Sequence, residues 1–437
     1  MVRQKGLGLP TLVALVVGNM LGAGVFTTSG FAMSDLGSPS AVLLAWLVGG
    51  LLALCGAISY GSLAKLMPVS GGEYYFMSRG VQPLVGFIAG WISLWAGCTG
   101  AIAVAAITFE AYLLPPSLRH LLPENVVATL AILVAALAHG LRAGPGLVLQ
   151  NLAVAIKLVF IVAFVLFVVV SGSVFEWDGV RHWRTAPAAD FSLDAFAVTL
   201  LWVSYSYSGF NASIYVASEV RDPLRDVPRS MVLATLLSMV LYLALNAIFV
   251  FAPAPQDIAG QKDVAAIAAA TLAGDGLANT MRAIIAVALF TSISAMIMVG
   301  PRVYARMADD GLMPRFLRFG DEVPAGAIAA QAALAIALVW LTGLRELLSY
   351  LGFTLGLSTA LAVASLFVSV RRQAYDTRQL TGYPWIPLLF VAATLFFAGL
   401  AALNNPWEML AAALTILSAV LIYLLFGRHR QEPGALP

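Results

Sequence analysis

Gly18-Asn-Met-Leu-Gly-Ala-Gly-Val-Phe26 lies in the middle of the first long hydrophobic segment of the chain. Gly22 and Gly24 favour a break in a membrane helix at that depth, because glycine adopts backbone conformations that other residues avoid. A packing contact between small residues would explain Gly18 and Gly22 but not the third glycine. A second interrupted segment, Tyr205-Ser-Tyr-Ser-Gly-Phe-Asn-Ala-Ser213, follows about half a chain later. Paired breaks at corresponding positions of two halves are typical of secondary transporters with inverted repeats, whose substrate site lies at the breaks.

The composition is that of an integral membrane protein. Hydrophobic residues make up 61% of the 437 residues and charged residues only 11%, whereas soluble domains carry about 25% charged residues. Apolar segments of roughly 20 residues, long enough to cross about 30 Å of hydrocarbon, recur along the chain. They predict one all-α transmembrane domain over residues 1–437, with twelve spans at about 9–32, 38–60, 82–113, 124–143, 146–172, 191–219, 229–253, 277–306, 324–342, 345–370, 383–403 and 407–427.

The lysine and arginine residues predict the orientation, because cytoplasmic loops of membrane proteins are enriched in them. With both termini in the cytoplasm, Lys157 lies inside the membrane and most of the others lie on the cytoplasmic side. The outer side then holds only Arg119, Arg181, Arg184, Lys262, Arg282 and Arg345. A multi-pass protein of an inner or plasma membrane is expected.

The remaining composition argues against several classes of function. The net charge of +2 indicates no nucleic-acid or acidic partner. The only cysteines, Cys55 and Cys98, suggest neither a disulfide framework nor a metal cage, so no metal or cofactor is expected. The chain lacks His-Glu-x-x-His and Gly-x-Ser-x-Gly, and we do not expect an enzyme. Two single breaks fit one enclosed small molecule better than the rings of a channel, and a monomer or a homodimer is compatible with the sequence.

Two connections are longer than the others, at about 173–190 and about 254–276. The second contains the amphipathic stretch Val264-Ala-Ala-Ile-Ala-Ala-Ala-Thr-Leu272, which Gly274 ends. This pattern predicts a short helix outside the membrane. It is either a cap over the entrance or a solvated linker.

Four stretches resemble the signature motifs of the amino acid–polyamine–organocation (APC) superfamily of transporters. They are Gly18 to Phe26, Pro68-Val-Ser-Gly-Gly-Glu-Tyr74, Glu219-Val-Arg-Asp-Pro223 with Val227-Pro228, and Arg302-Val-Tyr-Ala-Arg-Met-Ala-Asp-Asp-Gly-Leu-Met-Pro314. The resemblance implies the LeuT-type fold, with helices 1 and 6 unwound inside the membrane. Its two inverted five-helix repeats would occupy about 9–172 and about 191–370, and two extra helices would follow at about 383–427.

The same resemblance implies how a substrate is held. The amides of Ala23 and Gly24 match the donors to the substrate carboxylate, and the carbonyls of Met20, Tyr205 and Ser208 match the acceptors for its ammonium. The chemistry agrees, because the start of a half-helix presents free N–H groups to an anion and an ammonium has three protons to donate. Many members have serine where this chain has Ala23, so only the amide remains at that position.

The second break also offers a gate. Tyr205 lies four residues before Gly209, where family members carry Phe or Trp as a lid over the substrate. The alternative is a tyrosine that only packs between helices, and Tyr207 has the same chemistry two residues later. Asn211 matches an asparagine of the light subunits of heteromeric amino acid transporters. Its amide either binds substrate or satisfies freed backbone groups.

Lys157 is the only charged residue deep within a predicted helix, and such a charge is functional by default. Sodium-independent APC members place a lysine where a sodium ion bridges helices 1 and 8 in sodium-coupled relatives. That lysine follows a glutamine by seven residues, as Lys157 follows Gln150. The resemblance implies that Lys157 donates to the Gly22 carbonyl and to a helix-8 hydroxyl, of which Ser292 is preferred to Ser294.

The substrate is predicted from what the third segment does not contain. Trp91 to Ala105 has no carboxylate, and Ala96 and Ile102 stand where relatives that take cationic substrates show polar or acidic residues. We therefore expect a sodium-independent transporter of neutral α-amino acids that works by alternating access. A carrier of cationic amino acids or polyamines and a non-transporting sensor are the alternatives. No histidine relay is evident, so exchange and proton coupling both stay open.

Overall fold

The structure, a computed structural model, describes residues 6–141, 146–171, 177–185, 191–309, 315–318 and 324–427. Several predicted features lie outside these ranges, including the cytoplasmic charges Arg3, Lys5, Arg142, Arg428 and Arg430, the end of the fourth motif (310–314) and parts of the 173–190 connection. Within the described ranges the regular secondary structure is helical, and the only β-type contact there is one isolated parallel bridge between Leu7 and Val220.

The α-helices in chain order are α1 (Leu9–Met20), α2 (Gly24–Leu36), α3 (Pro39–Leu66), α4 (Gly72–Gly80), α5 (Pro83–Ile92), α6 (Ala101–Leu113), α7 (Val126–Leu141), α8 (Gly146–Ser171), α9 (Asp178–Thr185), α10 (Leu193–Ser206), α11 (Pro223–Phe251), α12 (Pro255–Ile258), α13 (Val264–Asp309), α14 (Ala325–Leu341), α15 (Leu344–Gln373), α16 (Trp385–Asn404) and α17 (Pro406–Ile422). A π-helical stretch, Ser93–Gly100, joins α5 to α6, and a 3₁₀ helix, Ala212–Glu219, follows α10. Many of the boundaries follow from the sequence. Five helices begin at a proline, whose fixed φ suits the first helical position and whose missing N–H is not needed there: α3, α5, α11, α12 and α17.

Seven of the described helices are long and apolar enough to cross a membrane, and the bent pair of α1 and α2 gives an eighth span. Four shorter apolar helices lie at Val126–Gly140, Ala155–Ser171, Leu193–Ser206 and Ala325–Leu341. Each predicted segment thus coincides with an apolar helix. The chain is an all-helical, multi-pass membrane protein.

The core is built by close packing of α3, α10 and α11. Gly49 of α3 lies against Val203, and Gly50 lies against Met239 and the Tyr207 hydroxyl. Small residues allow such approach in a membrane, where packing and hydrogen bonds stabilise helix contacts. By contrast, α16 and α17 lie at the edge of the bundle, since protein buries only 22% and 11% of the most apolar stretch of each helix.

The segment formed by α12 and the first turns of α13 packs on α2. The Gly260 N–H donates to the Gly30 carbonyl (2.8 Å), and Val264 and Ala268 are fully buried. At Gly274 the backbone leaves the helical conformation with φ +71°, as the sequence predicts for the end of this short helix. The alternative of a solvated linker is wrong, because the apolar face of this helix is covered.

Candidate functional site

The first break is a tight turn between α1 and α2. Helix α1 ends at Met20, α2 begins at Gly24, and the two axes are bent by 42°. The Gly22 N–H turns back to the Met20 carbonyl at 2.7 Å, and Leu21 has φ −73° and ψ 72°. These values describe an inverse γ-turn. Because the first N–H groups of a helix have no partner within it, the start of α2 offers free donors at this turn.

The second break lies between α10 and the 3₁₀ helix. Residues 207–211 form turns, and Gly209 has φ +95°, a conformation that favours glycine. The Ser208 N–H donates to the Tyr205 carbonyl at 2.9 Å. Tyr205 and Ser208 are partly exposed, whereas Tyr207 is only 1% exposed. Tyr207 therefore belongs to the core, and its hydroxyl donates to the Trp46 carbonyl at 3.1 Å.

The two breaks lie directly against each other. A Cβ atom on Gly24 would lie 2.2 Å from the Ser206 Oγ, and one on Gly209 would lie 2.7 Å from the Asn19 Nδ2. The Thr28 and Ser206 hydroxyls are 3.2 Å apart. Gly24 and Gly209 are thus also required for the close approach of the two breaks, and the structure brings the segments that carry both sets of predicted binding residues together.

Tyr242 of α11 joins the two breaks, and the sequence reasoning missed it. Its hydroxyl lies 2.5 Å from the Met20 carbonyl and 3.1 Å from the Ser206 carbonyl. The ring packs against Tyr207, with centroids 4.9 Å apart. The one feature of the sequence that could have indicated this role is a polar phenol within an otherwise hydrophobic segment. Since Gly22 and Tyr242 both donate to Met20, the protein itself uses this predicted acceptor in the present structure.

Lys157 of α8 reaches the first break. It is 4% exposed, and its ammonium donates to the Leu21 carbonyl at 2.5 Å. The predicted acceptor was the carbonyl of Gly22, one residue later. The difference follows from the γ-turn, which leaves the Leu21 carbonyl without a helical partner. The side chain of Gln150 lies outside the described residues.

Ser292 and Ser294 lie in α13, which corresponds to the eighth predicted span. Among the described residues neither serine is hydrogen-bonded to Lys157. Ser292 donates to the Ala288 carbonyl of its own helix at 3.0 Å, as short hydroxyls in apolar helices commonly do. The Ser294 hydroxyl lies 2.7 Å from the His139 Nε2. In the structure Lys157 therefore binds the break after α1, and the predicted hydrogen bond to a serine of α13 is not formed.

Asn211 points to a buried carboxylate that the sequence reasoning did not use. Its Nδ2 donates to Glu73 Oε1 at 3.1 Å, and the same oxygen accepts from the Tyr60 hydroxyl at 2.6 Å. Oε2 accepts from the Ser358 hydroxyl at 3.1 Å. Glu73 lies in α4, between two spans, and is 5% exposed. Burial raises the pKa of Glu73 above its ordinary value, and the three hydrogen bonds oppose that rise. The signal was available, since Glu73 belongs to the second quoted motif.

A second set of polar contacts joins three helices at the end of α2 that is farther from the first break. Arg345 at the start of α15 forms an ion pair of 2.6 Å with Asp35 at the end of α2. Its guanidinium also lies 5.1 Å from the ring centroid of Trp202 in α10, whose indole N–H donates to Ser349 at 2.7 Å. Helices α2, α10 and α15 are therefore joined on the side of the breaks opposite Glu73.

Comparison of the sequence with known proteins gives matches along nearly the whole chain. A family model described as amino acid permease matches residues 7–427. The b(0,+)-type amino acid transporter 1 of Mus musculus is 25% identical, over 98% of this chain and 89% of its own length. The Large neutral amino acids transporter small subunit 2 of Mus musculus is also 25% identical, over 90% of this chain and 76% of its own.

These relatives are transporters, and none is an enzyme. They match 98% and 90% of the chain, and the family model covers both helix breaks. The chain thus belongs to the amino acid permease family of the APC superfamily, and it is a membrane transporter of amino acids.

Proposed function

We propose that this protein is a sodium-independent secondary transporter of neutral α-amino acids that works by alternating access. The observation that carries the proposal is the pair of helix breaks in contact, with the Lys157 ammonium bound to the first. The proposed arrangement is LeuT-type, with twelve spans and both termini in the cytoplasm. Its inverted repeats span about 9–172 and 191–370, and the peripheral α16 and α17 are the two extra helices.

The breaks supply complementary groups for a zwitterion. The amides of Ala23 and Gly24, at the positive end of the α2 dipole, hold the carboxylate. The carbonyls of Tyr205 and Ser208 accept from the ammonium. The Met20 carbonyl joins them when the Tyr242 hydroxyl, which has one proton and two nearby acceptors, turns wholly to Ser206.

The exposure and polarity of individual side chains support the proposed gate and the proposed side-chain pocket. Tyr205 remains partly exposed at the break while Tyr207 is in the core, which supports Tyr205 as the lid. Ala96 of the π-helical stretch and Ile102 of α6, which stand where relatives that take cationic substrates show polar or acidic residues, are fully buried and apolar. The acid of α6, Glu110, accepts from the N–H groups of Asn125 and Ala128 at the start of α7. An apolar wall with no free acid supports a neutral side chain.

Lys157 supplies the positive charge that a sodium ion would bring to the first break. Because this ammonium is covalently part of α8, it stays with the protein throughout the cycle, and in this structure it holds the Leu21 carbonyl. Transport therefore needs no sodium, and either exchange for a substrate on the opposite side of the membrane or coupling to protons drives it.

Reconstitution into proteoliposomes tests the proposal. Labelled neutral amino acids should enter faster when unlabelled neutral amino acids are inside, and replacing sodium by choline should leave the rate unchanged. Arginine and putrescine should compete weakly. Binding without uptake would identify a sensor, and uptake without trans-stimulation would identify a channel. A strict sodium requirement, or competition by cations alone, would contradict the proposal.

A further inference from the structure

Glu73 joins three separate parts of the molecule at one carboxylate. Its partners are Tyr60 of α3, Asn211 at the second break and Ser358 of α15. Close by, Ser70 and Ser218 exchange two hydrogen bonds of 3.0 Å. The junction lies near the end of α3 that carries Lys65, which is the cytoplasmic end in the proposed orientation. It therefore closes the site on that side.

The carboxylate has no cation to balance it among the described residues. The nearest cations on the adjoining elements are used elsewhere: Lys65 donates to the Gln379 carbonyl, and Arg372 of α15 donates to Gly80 and Val81 at the far end of α4. The titratable groups that interact with Glu73 are the uncharged phenols of Tyr60 and Tyr215. Cys98, which neighbours Tyr215, is an uncharged thiol, and α5 carries no titratable group. Tyr74, Tyr75 and Arg79 lie on α4 itself, and none of them is hydrogen-bonded to Glu73. A buried carboxylate without a cation is costly to keep ionised.

Tyr215 connects this junction to the protein surface. Its ring lies over Gly72, the residue before Glu73, where a Cβ would be 2.2 Å from the Tyr215 Cε1, and Tyr215 is 48% exposed.

We propose that Glu73 binds a proton during the transport cycle and that this proton opens the cytoplasmic side of the site. The inference rests on the proposed transport function. The ionised carboxylate accepts three charge-assisted hydrogen bonds, which are roughly twice as strong as neutral ones. The added proton converts it to a carboxylic acid, which donates one hydrogen bond and accepts only neutral ones. The tie between α4, the second break and α15 weakens, and loss of the proton to water restores it.

The test measures counterflow of a labelled neutral amino acid in proteoliposomes with equal pH on both sides, between pH 5 and 8. The wild-type rate should rise as the pH falls through the carboxyl midpoint. Because burial raises the pKa of Glu73, that midpoint should lie above the value of an exposed glutamate. Glu73→Gln, which resembles the protonated acid, should show the low-pH rate at every pH. It should also lose accumulation driven by an imposed pH gradient.

A second variant separates proton binding from a purely structural role. Tyr60→Phe removes the shortest hydrogen bond to Glu73, one that lowers its pKa. We expect the midpoint of the rate to move up by roughly one pH unit, the size that one hydrogen bond to a charged group carries. Glu110→Gln is the matched control and should keep the wild-type pH response.

The outcomes are distinguishable. A wild-type rate that is independent of pH, or a Glu73→Gln variant with the wild-type pH response, would overturn the proton site while leaving exchange intact. An unmoved midpoint in Tyr60→Phe would do the same if Glu73→Gln does not fold. No counterflow of any neutral amino acid at any pH would instead reject the transport function.

Discussion

At the scale of the residue, a single side chain decides how the first break is held. The Lys157 ammonium is enclosed by protein and bound to the Leu21 carbonyl. Without it, a buried carbonyl loses its partner, which costs about 1–3 kcal/mol. The sequence predicted a helix break here and a contact from this lysine but placed the acceptor on Gly22. The error has a clear cause, because the inverse γ-turn at Leu21 depends on dihedral angles that residue types do not specify.

Lys157→Ala should therefore reduce counterflow at least about tenfold, the factor that corresponds to 1.4 kcal/mol, while the protein still folds. The measurement is initial uptake per milligram of protein that elutes as one species in size-exclusion chromatography. Lys65→Ala is the control, since Lys65 also donates to a carbonyl, that of Gln379, but lies away from both breaks. Unchanged uptake in Lys157→Ala would remove the tether role.

At the scale of the element, the positions of the breaks were predictable and their internal form was not. Gly22, Gly24 and Gly209 mark the interruptions in the sequence. Of these three glycines only Gly209 has a positive φ, +95°, which favours glycine, whereas Gly24 lies against Ser206. Nothing in the periodicity indicated that the second break continues as a 3₁₀ helix, or that Ser93–Gly100 is π-helical. Helices of these kinds differ from α-helices in hydrogen-bond register rather than in apolar pattern.

Gly24→Ala tests the contact between the two breaks. Its Cβ would lie 2.2 Å from the Ser206 Oγ and 3.0 Å from the Ser206 Cα, so α10 must move. Overpacking of this kind costs about 1–3 kcal/mol, and we expect transport to fall at least about tenfold. In Gly399→Ala of α16, the added methyl meets no atom within 4 Å, and that variant should transport normally. Equal rates in the two variants would show that the breaks need not touch.

At the scale of the whole molecule, contacts between distant parts of the chain determine the closed form. Glu73 and Ser358 are 285 positions apart, and Tyr242 and Met20 are 222 apart. The sequence indicated the membrane class and all the apolar segments, since those depend on composition and local pattern. It did not indicate these pairings, because no local pattern links residues so far apart.

Asp263 connects the α12–α13 segment to the bundle through Arg119 at 3.0 Å and Arg282 at 2.5 Å. Asp263→Asn leaves two arginines without a counter-charge. We expect about 2–3 kcal/mol of lost stability, less than for a fully buried pair because Arg119 is 37% exposed. The midpoint of thermal unfolding, followed by tryptophan fluorescence at a fixed heating rate, should fall. Asp275→Asn, an exposed acid beyond the kink, should unfold like the wild type, and equal midpoints in both variants would contradict this role.

The bond between Lys157 and the first break has a thermodynamic consequence. A sodium ion that dissociates on the far side releases the energy of its own gradient, whereas a charge fixed to the polypeptide returns with every cycle and performs no net work. In such a carrier, the position of Lys157 does not couple transport to an ion gradient. Any uphill movement of cargo must then be powered by a counter-moving solute or by protons.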